Sequence, residues 1–188
     1  MSTDNLIEDL RVTQILSPFS GYSYVQKHIL EEAAARGTRI HDSIKDYLTI
    51  GKPLIAENPQ EQGYLESFKT FWKPFYSPVV VEKRYNQDGY TGQCDCLIQF
   101  KNRHILLDWK TSKSVNRTWE YQTAAYRDMC QNEEKIFIDE CWVIQLLPDG
   151  TNFECHIFVN SKEAFQTFLK CKDLYEIFFK GKTNQFYE

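Results

Sequence analysis

The chain has 188 residues, 42% of them hydrophobic and 26% charged, a balance that fits a single globular domain and excludes a disordered or fibrous chain. No run approaches the roughly 20 apolar residues needed to span a bilayer. The start, Met1-Ser2-Thr3-Asp4-Asn5, lacks the features of a signal peptide, so a cytoplasmic protein with no membrane partner is expected. The net charge of −4 does not favour nucleic acid by itself. Locally the balance reverses: Lys101, Arg103, Lys110, Lys113 and Arg117 surround a single acidic residue, Asp108. A solvated charged surface would read the same way.

The first third reads as helical. Residues 25–36 are rich in alanine and glutamate, Gly37 interrupts them, and Thr38 is placed to cap a second stretch carrying Ile40, Ile44, Tyr47 and Leu48 at helical spacing. Gly51-Lys52-Pro53 ends that stretch. A third helix over 61–72 sets Leu65, Phe68, Phe71 and Trp72 on one side, closed off by Pro74 and Pro78. Residues 79–85, 94–100 and 104–110 are short runs with strand character. Residues 119–131 read as a helix. Residues 140–147 and 152–159 flank Pro148-Asp149-Gly150 as a hairpin. Asn160 with Glu163 resembles a capping box for a last helix, whose apolar stripe includes Phe165, Phe168, Tyr175, Phe178 and Phe179. The expectation is one α/β (α+β) domain over 1–188, with a helical part over about 1–75 and a sheet core over about 79–160.

Six cysteines (Cys94, Cys96, Cys130, Cys141, Cys155 and Cys171) are scattered without a C-x-x-C pair, which argues against a zinc or iron–sulfur site and for buried free thiols. Cys94 and Cys96 flank Asp95 and should point to the sheet face opposite to it.

Chemistry concentrates in Asp108-Trp109-Lys110 and in Asp95 upstream. Side chains two apart on a strand share a face, so Asp108 and Lys110 point together, as Asp95 does with Leu97 and Gln99. If the two strands pair through a tight turn near Lys101-Asn102-Arg103, an even-numbered loop sets Asp95 opposite Asp108 or Lys110, and an odd loop does not. Two carboxylates that close repel unless a cation lies between them. Mg²⁺ or Mn²⁺ would suit the pair, with the Trp109 carbonyl as a further oxygen ligand. Lys110 would then orient or help deprotonate an attacking water and offset charge at phosphorus. A lone D-x-K in a strand is also what an exposed ion pair looks like.

Arg36-Gly37-Thr38-Arg39-Ile40-His41, Gly92-Gln93-Cys94-Asp95, Asp108-Trp109-Lys110-Thr111-Ser112 and Gln122-Thr123-Ala124-Ala125-Tyr126 together resemble the ordered motifs of the RecB-like branch of the PD-(D/E)XK nucleases. The matches lie between about residues 12 and 126. The resemblance implies a restriction-endonuclease-like core, a central mixed β-sheet flanked by helices. It implies that His41, Asp95 and Asp108 are metal ligands, that Lys110 is the catalytic lysine, and that Gln122 and Tyr126, four apart on a helix face, position the lysine or the DNA. Glu82 lies where some relatives carry a helping acid, and Thr111 and Ser112 follow the lysine as phosphate contacts. Cys94 stands where the proline of the family's name would be. Relatives with an iron–sulfur cluster carry a cysteine before the helical histidine. None precedes Cys94 here, so no iron–sulfur cluster is expected. No Walker motif is present, so any helicase or recombination partner is a separate protein.

The implied activity is Mg²⁺- or Mn²⁺-dependent DNA hydrolysis, as an exonuclease on single-stranded or end-exposed DNA in repair or recombination. The small nuclease core would suit a phage protein. Two other readings stay open: a structure-specific endonuclease on the same core, and a non-catalytic nucleic-acid-binding subunit. Retention of both carboxylates, the lysine and His41 argues against the latter.

Overall fold

The structure, a computed structural model, describes residues 9–159 and 161–179. The Asn160 half of the expected capping box lies outside them. In chain order the elements are β1 (Leu10–Arg11), α1 (Val12–Leu16), two 3₁₀ turns (Ser17–Phe19 and Tyr22–Tyr24), α2 (Lys27–Ile50), α3 (Pro59–Phe71), β2 (Ser77–Gln87), β3 (Tyr90–Phe100), β4 (Arg103–Lys110), α4 (Thr118–Glu134), β5 (Glu140–Leu146), β6 (Phe153–Phe158) and α5 (Ser161–Phe178). The strands form one six-stranded mixed sheet in the order β1-β3-β4-β5-β6, with β2 on the other edge of β3. Helices cover both faces, the expected restriction-endonuclease-like core. No helix among the described residues is long and apolar enough to cross a membrane.

Each face of the sheet has its own core. Ile40 and Ile44 of α2 pack with Leu65, Phe68 and Phe71 of α3 onto Ile98, Leu107 and Trp109 of the sheet. On the opposite face α1, α4 and α5 bury Ile15, Ala125, Met129 and Phe168 against Leu97 and Leu106. The α5 stripe is buried only in part. Ala164, Phe168 and Tyr175 are inside, but Phe178 and Phe179 at its end are 54% and 43% exposed. Five of the cysteines are buried as free thiols, and Cys155 is exposed.

One expected break is missing. Residues 27–50 form a single helix that runs through Gly37, and Thr38 sits inside it with its hydroxyl donated to the Ala34 carbonyl. A glycine in a helix interior costs about 1 kcal/mol, too little to stop a helix with good formers before it and Ile40 and Ile44 anchoring it after. The stop comes at Gly51, which takes the left-handed conformation (φ 68°) with its amide bonded back to the last turn.

β3 changes neighbour along its length. On one edge it pairs with β2 throughout, from Tyr90 to Gln99. On the other edge it pairs with parallel β1 at Tyr90 and Thr91, and with antiparallel β4 only from Cys96 onward. The intervening residues 92–95 have no strand beside them on that edge, and this gap in the sheet holds the site.

The strands also turn over there. Cys94 lies in the core under α4 and α5, whereas Cys96 lies in the core under α2 and α3. These two cysteines therefore do not share a face, contrary to the strand alternation expected from sequence. On β2, Tyr85 belongs to the first core, and Val81 packs against the second. The reversal falls at Glu82, whose backbone is left-handed (φ 50°), and at Asp95 opposite it. The pairing continues unshifted from Val81↔Cys96 to Lys83↔Cys94, so both strands invert in step. A bulge in one strand alone would have shifted the register.

Candidate active site

The β3–β4 turn is Lys101–Asn102, with Phe100 paired to Arg103, which is the even parity the motif requires. Carried one step beyond its last pair, Cys96↔Leu107, this register sets Asp95 opposite Asp108. Glu82, Asp95 and Asp108 therefore form a row of carboxylates across three neighbouring strands. Where the ladder ends, Asp95 Oδ2 accepts the Trp109 amide at 2.7 Å, which fixes that carboxylate in the gap.

His41 enters from α2. Its Nδ1 lies 3.3 Å from Asp95 Oδ1 and 3.6 Å from Glu82 Oε1. Its Nε2 lies 3.1 Å from the Trp109 carbonyl, an acceptor, so Nε2 carries the proton and donates. In the neutral ring that leaves the Nδ1 lone pair facing the two carboxylates, the arrangement of a metal-binding histidine held by its other nitrogen. Burial opposes a charge on His41, but Asp95 and Glu82 outweigh it and hold the imidazole well above its usual range. One donor atom from each of His41, Glu82 and Asp95 lies within 4.8 Å of the others. The Glu82 side chain is only 5% exposed, and its Oε1 has no hydrogen-bond partner. Gln93 donates to the other oxygen, Oε2. A buried anionic oxygen left without a donor is costly, and a cation among these three residues would satisfy it. The donor set fits a divalent ion of the Mn²⁺ or Mg²⁺ type.

Asp108 stands beside this trio, 1% exposed, with its Oδ2 2.7 Å from Lys110 Nζ. Burial, opposed by Lys110, pushes the Asp108 carboxyl up to about 6. Lys110 also donates to Gln122 Oε1 at 3.1 Å, and Gln122 Nε2 donates to the Tyr126 hydroxyl at 2.9 Å. Tyr126 is held neutral by burial and by the nearby Asp108 charge. The sequence-predicted helix face of Gln122 and Tyr126 thus meets the lysine. Its approach depends on Gly92, where an added Cβ would lie 2.6 Å from Tyr126 Cε1 and from Met129 Cε.

Two adjoining cavities open on this centre and share Thr13, His41, Lys110 and Gln122. One, of about 280 Å³, fills the gap in the sheet and reaches Asp95, Asp108 and Tyr126. The other, of about 320 Å³, runs beneath α2 past Arg36, Thr111 and Ser112 to Tyr22 and Trp119. Thr111 faces Gly37, with its hydroxyl 3.8 Å from where a Cβ would be. Ser112 bonds within its own loop, its hydroxyl donating to the Ser114 carbonyl at 3.2 Å.

The arrangement differs in parts from the sequence reading. Glu82 stands with His41 and Asp95 as a third candidate donor, Asp108 lies against Lys110, and the Trp109 carbonyl accepts from His41. Of the five basic residues around Asp108, Lys101 and Arg103 lie at the far end of the hairpin, roughly 20 Å along the strands. Arg103 is paired there with Glu140, and Lys101 lies over the Phe100 ring. Besides Lys110, the arginines at the cavities are Arg36 from α2 and Arg11 and Arg84 from β1 and β2. Asn116 was also missed. Its side chain accepts from the Thr118 amide at 2.9 Å and donates to the Ser20 carbonyl at 2.9 Å, tying the 3₁₀ segment to the start of α4. None of these residues has a periodic or spaced signature.

The gap of the mixed sheet thus gathers a row of carboxylates, a histidine and a lysine, a donor set that could hold a cation. No protein-family model matches the chain. It is similar to Mitochondrial genome maintenance exonuclease 1 of Homo sapiens, 24% identical over 162 residues, covering 80% of this chain and 47% of that protein. The chain therefore spans about half the length of the curated relative it matches.

Proposed function

We propose that this protein is a divalent-metal-dependent deoxyribonuclease of the RecB-like kind, acting as an exonuclease on single-stranded or end-exposed DNA. The observation that carries the reading is the meeting of the His41, Glu82 and Asp95 donors, around an unpartnered buried carboxylate oxygen, beside the Asp108–Lys110 pair. The order of the motifs and the likeness to an exonuclease support it. The described elements share one sheet, which supports a single nuclease domain.

His41, Glu82 and Asp95 would hold Mg²⁺ or Mn²⁺, with Asp108 next to them. The ion, when bound, lowers the pKa of a bound water and stabilises negative charge on the phosphate. Lys110 is set to orient that water and to offset charge as the phosphorus–oxygen bond breaks. Gln122 and Tyr126 hold the ammonium in place. His41, donating to the Trp109 carbonyl, keeps its ring in the ligating tautomer.

The test is digestion of end-labelled linear and circular DNA, single- and double-stranded, with Mn²⁺. Linear single strands should be degraded and single-stranded circles left intact. Linearised circles would mean an endonuclease. Asp108→Ala and Lys110→Ala should be inert while folded, and full activity of Asp108→Ala would sink the mechanism. Absence of Mn²⁺ binding by calorimetry would favour a non-catalytic binding subunit.

A further inference from the structure

Below the reversal at Asp95, one face of the sheet is open to solvent, with Arg11, Arg84 and Gln93 exposed on it. Arg11 is paired with Thr91 across one edge of β3, and Arg84 with Gln93 across the other. Directly paired residues share a face, so these four side chains form one polar shelf. The opposite face of the same stretch carries Tyr90 and Cys94 into the core. The shelf leads straight to the metal-ligand trio, because Gln93 bonds Glu82. Both arginines line the cavity that contains Asp95, Asp108 and Lys110.

The two arginines also differ from the cations around them. Lys83, next to Arg84, is held by Glu133 and Glu134 at 2.8 and 2.6 Å. Arg39 is held by Glu57 and Glu61. Arg11 and Arg84 make no such ion pair among the described residues. The nearby carboxylates are engaged elsewhere, Asp9 by Asn86 and Glu82 by Gln93. β1 and β2 flank β3, and Thr91 and Gln93 are two residues apart, so the arginine Cα atoms are about 12 Å apart. One phosphate between them lies within the combined reach of both side chains. Guanidinium forks suit phosphate oxygens in pairs of hydrogen bonds.

We infer that Arg11 and Arg84 form a phosphate subsite, holding the phosphate next to the one that is cleaved. This rests on the reading of the centre as a phosphodiester hydrolase. The phosphate is either an internal diester of the bound strand or the monoester at its end.

The test uses Arg11→Gln, Arg84→Gln and the double variant, with single-stranded oligonucleotides ending in 5′-phosphate, 3′-phosphate or hydroxyl groups. Each single change should raise KM about tenfold and leave kcat within about twofold. It should also lower the slope of log KM against log salt by about 0.7–1 unit, which a merely structural role would not do. Lys69→Gln, whose ammonium is held by Glu66 on α3, should change neither. An end-phosphate advantage lost in the double variant assigns a terminal monoester. An equal loss on all three substrates assigns an internal diester. Unchanged KM and salt slope in a double variant, with the parent protein active, overturns the subsite and leaves the proposed function standing. Anisotropy with Ca²⁺ in place of Mn²⁺ reads the same subsite without cleavage. DNA binding by a parent protein that never cleaves would overturn the hydrolase reading instead.

Discussion

Glu61 and Asp108 are equally buried, each 1% exposed, and their carboxyl groups behave in opposite ways. Glu61 sits in the first turn of α3. Burial pushes its pKa up, but Arg39 Nε and Nη2 donate to Oε1 at 3.0 and 2.6 Å. The Glu57 amide at 2.9 Å and the Asn58 amide group at 3.0 Å complete its partners, and the net effect is to lower it. Asp108 has one cation in direct contact, Lys110, itself shared with Gln122, and faces a second carboxylate across the strand gap, and its carboxyl is pushed up to about 6. Burial alone therefore does not mark the site. The mark is burial of charge without enough donors.

The widest expected difference follows from removing the charge at each place. Asp108→Asn keeps the shape and removes the anion, and should lower kcat/KM at least about 10³-fold. In metal-free buffer this variant should unfold no earlier than the parent protein in thermal melts. Glu61→Gln should leave kcat/KM within a few-fold and lower stability by about 2–3 kcal/mol, because it strips a buried network of its anion. If the two variants exchanged these phenotypes, the contrast would be wrong.

Gly92 tests whether packing or charge holds the site together. A methyl at Gly92 would lie 2.6 Å from Tyr126 and Met129, so Gly92→Ala should cost about 1–3 kcal/mol by overpacking. It should also reduce kcat, since α4 carries Gln122 to Lys110. A milder change, Tyr126→Phe, removes only the hydroxyl that receives Gln122 Nε2. Its expected effect is a fall in kcat of about tenfold, with KM unchanged. An unchanged kcat would show that Gln122 needs no second anchor.

Much of this was legible in the chain because strands obey a period of two. The spacing of Asp95, Asp108 and Lys110 determined a loop parity, and the two-residue turn at Lys101–Asn102 has it. His41, Gln122 and Tyr126 were found by their resemblance to ordered motifs, and the structure brings them to the same place. What sequence alone could not give was the reversal at Glu82 and Asp95. Nothing in a residue string announces a non-glycine residue at φ 50° in mid-strand. Because of it Cys94 and Cys96 lie on opposite faces, where strand alternation alone sets them on one. The gap between β1 and β4 was equally hidden, since it depends on which strand a two-residue segment joins. Arg11 and Arg84 gain their position only through that pairing.

The smallest effect concerns the fully partnered carboxylate and its dependence on acid. Arg39 holds Glu61 below the ordinary carboxylate range and also pairs with Glu57 at 3.1 Å. A carboxyl whose folded pKa is depressed contributes stability that is complete above its unfolded pKa, about 4.3, and is lost as pH falls through the lower folded value. The parent protein should therefore weaken as pH drops below about 4, in part because Glu61 takes up a proton. Arg39→Gln should be less stable than the parent at pH 7, by a margin that solvent screening at the 38% exposed arginine keeps small. Its stability should then depend less on pH between about 4.5 and 3 than the parent's, measured by urea unfolding across that range. Nuclease activity at pH 7 should be untouched, since Arg39 points to α3 and lines neither cavity at the centre. If Arg39→Gln showed the parent's full acid dependence, the backbone amide and Asn58 would be sufficient for Glu61. The contrast with Asp108 would then rest on neutral donors and not on a cation.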